Sequence, residues 1–129
     1  MKSLFFILCT LCFLSLNAQQ EIKLNQIKDH IGDSVKVQGV ILGVRYLDGA
    51  KNTPTFINVG GNYPNQLLTV VIWGDVRQKL LVTPSSKDNG NRIIVSGKVE
   101  LYNDNPQIII RNTNQFEIVQ DAQRDVDMP

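Results

Sequence analysis

Val37-Gln38-Gly39-Val40-Ile41 and Val95-Ser96-Gly97-Lys98-Val99 are two versions of one phrase, a glycine set inside a run rich in β-branched residues. A glycine at such a position weakens a strand, because it carries extra chain entropy and offers no side chain to pack. Its repetition predicts a sharp bend, a bulge or a close backbone crossing, the devices that curl a small sheet into a barrel.

Around the first phrase, residues 34–46 read as one long strand whose apolar parity changes. Val35, Val37 and Ile41 share one register, whereas Val40, Leu42 and Val44 share the other. A flat strand alternates cleanly, so the change near Gly39 predicts a bulge or a strand that serves both halves of a closed sheet. Asp48-Gly49 marks the following turn.

Residues 55–59 form the second strand, with Ile57 and Val59 on one face and Phe56 and Asn58 on the other. Residues 67–73 form the third and are apolar on nearly both faces. Residues 92–102 form the fourth, with Ile93, Val95, Val99 and Leu101 inward and Ser96, Lys98, Glu100 and Tyr102 outward. The turn Asn103-Asp104-Asn105 leads into the fifth, residues 106–110, and Phe116-Glu117-Ile118-Val119 closes the apolar pattern.

Two helical signals flank these strands. Leu24, Ile27 and Ile31 are spaced three and four apart, which predicts a short amphipathic helix, with a β-extension over residues 21–24 as the alternative. Residues 75–81 predict a helix between the third and fourth strands, with Val76, Leu80 and Leu81 facing inward. The expected class is all-β: a five-stranded Greek-key barrel with a short helix between strands 3 and 4 and a short N-terminal helix. A six-stranded sandwich is the competing architecture.

Residues 1–18 read as a secretory signal, with Lys2 as the positive region, a largely apolar uncharged run, and cleavage after Ala18. The run is short for a membrane span, which needs roughly 20 apolar residues, so no span is expected after cleavage. Both cysteines, Cys9 and Cys12, fall inside this leader. The exported chain would then have no disulfide, thiolate nucleophile or thiolate metal site, and would be periplasmic or secreted. Residues 19–119 form the expected single domain, and residues 120–129 a mobile polar tail.

Removal of the leader takes away only one charged residue, Lys2, and leaves equal numbers of basic and acidic groups. A chain without basic excess has no global attraction to phosphate, although a local patch remains open. Catalytic signals are weak. His30 stands alone between Asp29 and Asp33, and Asp121, Asp125 and Asp127 lack the glycine and closing glutamate of a calcium loop. Gly60-Gly61 lacks the following Lys-Ser or Lys-Thr of a phosphate loop, and Ser85-Ser86 has no oriented base. No enzyme activity, metal or cofactor is expected.

The phrases Ile31-Gly32-Asp33-Ser34-Val35-Lys36-Val37-Gln38-Gly39-Val40, Thr55-Phe56-Ile57-Asn58-Val59-Gly60-Gly61-Asn62-Tyr63-Pro64-Asn65-Gln66 and Ile94-Val95-Ser96-Gly97-Lys98-Val99-Glu100-Leu101-Tyr102, with Pro106-Gln107-Ile108, cover roughly residues 24–119. Through them the chain resembles the OB-fold domains of the anticodon-binding and single-strand-binding group, and more closely a set of exported bacterial OB-fold proteins. The resemblance implies a ligand laid across strands two and three between the first and fourth hairpin loops. Carried onto this chain, that surface involves Arg45, Tyr46, Phe56, Asn58, Lys98, Tyr102 and Arg111. Single-stranded nucleic acid is the first candidate partner, with rings stacking on bases and cations meeting phosphates. A glycan or a protein is the alternative on the same wall, served by Asn58, Asn62, Asn65, Gln66 and Asn103 with Tyr63 or Trp73. Oligomeric state is not readable from the sequence.

Overall fold

The computed structural model describes residues 19–120; the expected leader and all but the first residue of the expected tail lie outside the described residues. The chain runs through β1 (Gln20–Glu21), a 3₁₀ segment (Leu24–His30), β2 (Ser34–Tyr46), β3 (Thr55–Val59), β4 (Leu68–Ile72), α1 (Gly74–Arg77), a second 3₁₀ turn (Ser86–Asp88), β5 (Arg92–Tyr102), β6 (Asn105–Ile110), a third 3₁₀ turn (Thr113–Gln115) and β7 (Phe116–Val119).

The parity change in β2 has two causes, and both alternatives read from the sequence are realised. From Ser34 to Val40 the strand pairs antiparallel with β5, from Ser34↔Lys98 to Val40↔Arg92. From Ile41 to Tyr46 it pairs instead with β3, with a register shift between Ile41 and Gly43. β3 pairs antiparallel with β4, β4 pairs parallel with β6, and β6 pairs antiparallel with β5. The β2–β5 ladder joins the ends of this series, so the five strands close into a barrel of the OB type. The sandwich is thereby excluded.

Both glycines of the repeated phrase sit on the closing seam, at Val35↔Gly97 and Gly39↔Ile93. A Cβ on Gly39 would stand 2.6 Å from Val59 Cγ1 and 2.7 Å from Leu24 Cδ2. One on Gly97 would stand 2.7 Å from Ile108 Cγ2 and 2.9 Å from Gln115 Nε2. The glycines therefore provide space where an opposing layer crosses the strand.

Gln115 uses the space over Gly97. Its Nε2 donates to the Ser96 carbonyl at 2.9 Å, while its Oε1 accepts from the Arg111 and Asn112 N–H groups at 2.7 and 2.8 Å. One side chain thus ties the β6–β7 connection to β5. Gln115→Leu is expected to cost about 1–3 kcal/mol, because it strips partners from polar backbone groups. Urea unfolding with an unchanged m-value is the measurement.

Period-two alternation fills the barrel with Val35, Val37, Ile41, Ile57, Val59, Leu68, Val70, Ile72, Ile93, Val95, Val99, Ile108 and Ile110, all essentially buried. Each contributes roughly 1.5–3 kcal/mol of burial. Ile27, from the Leu24–His30 segment, covers one end of this core with half-buried Leu24 beside it. Both readings of the N-terminal stretch hold in part, since β1 is extended and the turn after it is helical. The helix is the tighter 3₁₀ form, however, and Ile31 lies beyond it, 38% exposed.

Other sequence expectations need correction. α1 stops at Arg77, so Leu81 falls in the following loop and is fully exposed, as is most of Val82. Leu101 has inward parity, yet it is 51% exposed because β5 has run past the end of the barrel into its hairpin. β4 does carry apolar residues on both faces: Val71 points outward and is still buried, flanked by its partners Phe56 and Ile109.

Candidate functional site

Outward-facing residues of neighbouring strands meet in register on one wall of the barrel. Asn58 of β3 pairs with Thr69 of β4, which pairs with Gln107 of β6. One step along the strands, Arg45 of β2 pairs with Phe56. These two rows form the floor of a cleft of about 490 Å³, within the range that holds small ligands.

Two loops raise its sides. Between β5 and β6 the turn residues Asn103 and Asp104 have φ of 49° and 63°, the left-handed pair of a two-residue type I′ hairpin. This tight turn fixes Tyr102 opposite Asn105, and both line the cleft with Asn103. Between β3 and β4 the chain is pinned at its base by Gly60 N–H to Val40 O and Leu67 N–H to Val59 O, each 3.0 Å. The loop brings Tyr63 and Gln66 to the same cleft. Tyr63 is 71% and Tyr102 65% exposed, so both rings offer open faces, whereas Phe56 is half-buried.

The lining mixes apolar ring and aliphatic surface with amide and hydroxyl groups and is nearly uncharged. Arg45 is its one charged residue, and it makes no ion pair among the described residues. Gln66 Nε2 donates to Thr69 Oγ1 at 3.1 Å, while Gln66 Oε1 is sealed from solvent with no partner among the described residues. A buried acceptor without a donor is uncommon in native structures. The cleft therefore combines ring faces, amide donors and acceptors, and a single cation.

Tyr63, Gln66 and Asn103, named for the glycan or protein alternative, line this cleft, and of the seven residues carried over by the resemblance Arg45, Phe56, Asn58 and Tyr102 come together here. The remaining three do not. Tyr46 follows Arg45 in β2 and so leaves the strand on the other face. Its ring lies under the Arg77 guanidinium at 3.6 Å, and Arg77 Nη1 donates to Thr55 Oγ1 at 2.8 Å. Lys98 sits opposite Ser34 on the closing seam, and Arg111 follows β6 with Glu100 at 3.9 Å. Neither lines the cleft.

Leu47, Thr69, Asn105, Pro106 and Gln107 are the lining residues that the sequence reading missed. A usable signal existed, because Thr69 interrupts Leu68-Thr69-Val70 and Gln107 interrupts Pro106-Gln107-Ile108, each the outward polar position of an otherwise apolar strand. Among the described residues no group of three or more His, Cys, Asp or Glu is placed to hold a metal; His30 Nδ1 lies 3.1 Å from Asp33 Oδ2 as an isolated pair. No helix among the described residues is long and apolar enough to cross a membrane.

No protein-family model matches the sequence, and no curated protein does. Solved structures do. A protein assigned as an aspartyl-tRNA synthetase from Leishmania major Friedlin superposes with a TM-score of 0.57 at 8% identity, over 88% of this chain and 23% of its own. The yeast Stn1 and Ten1 structure gives 0.56 at 11% identity, over 82% of this chain and 65% of that one. A protein assigned as a nucleic acid-binding lipoprotein from Klebsiella pneumoniae subsp. pneumoniae MGH 78578 gives 0.46 at 18% identity, over 79% and 92%. The chain thus spans under a quarter of the first and just under two thirds of the second. The first two likenesses define the class of the chain: it is an OB-fold domain.

Proposed function

We propose that this OB-fold domain binds a short single-stranded nucleic acid in the Arg45–Tyr102 cleft without chemical turnover. The observation that carries the reading is the convergence of Phe56, Tyr63 and Tyr102 with Arg45 on one amide-lined wall. Every base has a π-face, and stacking on an aromatic side chain is worth roughly 1–3 kcal/mol per base. The Asn58 and Gln107 amides can meet base edges, and Arg45 can meet one phosphate. The similar synthetase fold belongs to a protein whose name places tRNA among its substrates, which agrees with this reading.

One cation in the cleft gives the proposal a numerical test. A single strand releases counterions with a log–log salt slope of about −0.7 per neutralised phosphate. Anisotropy titrations of end-labelled deoxythymidine and uridine oligomers are expected to show a slope near that single-contact value. Arg45→Ala should bring the slope close to zero, whereas Lys98→Ala and Arg111→Ala should leave both slope and affinity unchanged. Absence of binding, or a steep slope that persists in Arg45→Ala, refutes the proposal.

The amide-rich, nearly uncharged lining also supports a second reading, in which a glycan or a protein segment occupies the same cleft. Salt-independent binding of such a ligand, with no binding of either oligomer, selects it. We further propose that the domain comprises residues 19–119 and works outside the cytoplasm after cleavage at Ala18. Such cleavage leaves Gln20 and Glu21 to pair with Val35 and Lys36. Fractionation of the producing cell, with N-terminal sequencing expected to begin at Gln19, checks this placement.

A further inference from the structure

A second hollow, of about 540 Å³, lies between the β2–β3 loop and the start of α1 and shares no lining residue with the Arg45 cleft. We propose that it binds a neutral carbohydrate, with the Trp73 indole as the platform for the sugar ring.

Trp73 directly follows fully buried Ile72, where β4 ends, and it remains 36% exposed at the edge of the hollow. Its N–H makes no hydrogen bond with the described residues. Around it stand Asn52, Thr53, Asp75 and Gln78, whose side chains are almost entirely uncommitted. Asp75 Oδ1 accepts from the Val76 N–H at 2.9 Å, which holds the carboxylate in place and leaves Oδ2 without a partner among the described residues.

The frame is set before any ligand arrives. Asn52 and Thr53 have φ of 62° and 39°, a left-handed region that a β-branched residue such as Thr53 rarely enters. They are held there by Thr53 N–H to Ala50 O at 3.0 Å and by Gly74 N–H to Asn52 O at 2.8 Å. Gly74 admits this approach because a Cβ there would run into Thr53 Oγ1. Backbone outliers held in this way cluster at ligand sites.

The chemistry of the lining selects the ligand class. It contains one carboxylate and no cation, so a phosphodiester is repelled. Carboxylate and amide groups can accept from and donate to neighbouring hydroxyls, while an indole face suits the apolar C–H side of a pyranose. A neutral polyhydroxyl compound satisfies all of these groups together.

Trp73 is the chain's one tryptophan, so indole fluorescence, excited selectively over the tyrosines, reports on this site. The purified protein would be titrated with cellotriose, maltotriose and chitotriose to about 10 mM, in parallel with calorimetry. At least one trisaccharide is expected to give a saturable shift of the emission, unaffected by added salt. Asp75→Asn keeps an acceptor for the Val76 N–H, so the fold should survive while affinity falls roughly tenfold. Tyr102→Ala should bind as the parent does. The proposal is overturned if none of the three sugars gives saturable heat or fluorescence. It is equally overturned if Asp75→Asn and Gln78→Ala both bind with parental affinity, or if an oligonucleotide displaces the sugar.

Discussion

Gly97→Val is expected to lower the unfolding free energy by about 2–5 kcal/mol, a large share of the roughly 5–15 kcal/mol that holds a small domain together. Two independent costs combine at this position. The first is overpacking: the new Cβ meets Ile108 Cγ2 at 2.7 Å and Gln115 Nε2 at 2.9 Å. Ile108 is fully buried and Gln115 is committed to four backbone groups, so neither can yield cheaply. The second is backbone conformation, because φ at Gly97 is +157° and valine resists it. Gly49→Val serves as the control, since nothing lies within 4 Å of a Cβ there. Urea unfolding should show the midpoint of Gly97→Val falling with an unchanged m-value while Gly49→Val stays within about 0.5 kcal/mol of the parent. Equal effects at the two positions would mean that the seam does not depend on the glycine.

The difference between those two glycines also explains why the barrel was legible. Gly49 lies in an Asp-Gly turn, an ordinary setting, whereas Gly39 and Gly97 interrupt runs that otherwise demand side chains. The parity switch in residues 34–46 records a change of partner from β5 to β3, and such a change leaves a mark in any half-buried strand. Local pattern was a poorer guide where tertiary geometry decides. Leu81 carries helical spacing, but α1 ends four residues earlier, and Leu101 keeps strand parity beyond the end of the core. The cleft was half legible for the same reason. Arg45, Phe56 and Tyr102 lie on or beside strands whose register can be followed, but Tyr63 enters from a loop whose path no periodicity encodes.

Net charge was similarly uninformative about local fields. A near balance of 13 basic and 12 acidic groups conceals two hollows of opposite character, one with Arg45 and no carboxylate, the other with Asp75 and no cation. The β2–β3 loop contributes to both, through Leu47 to the first and through Asn52 and Thr53 to the second. The proposed selectivity of each hollow thereby rests on a single charge, Arg45 of β2 or Asp75 of α1, a distribution that composition averages away.

Tyr102→Ala is expected to weaken binding of a single-stranded oligonucleotide by roughly 5- to 150-fold, the equivalent of about 1–3 kcal/mol for one lost stacking partner. Tyr63→Ala should act similarly, since its ring lines the same cleft from the β3–β4 loop and is equally open. Both side chains are well over half exposed, so truncation removes little packing and thermal stability should change by less than about 0.5 kcal/mol. That separation makes the rings a cleaner test than Phe56, which helps to cover Val71 and would confound binding with folding. The salt slope supplies the second axis: losing a ring should lower affinity at every salt concentration and leave the slope where Arg45 sets it. If one base stacks on each tyrosine independently, the double variant should show the sum of the two losses. A sub-additive result would mean that one base is sandwiched between both rings. Parental affinity in the double variant would show that the ligand does not use this cleft.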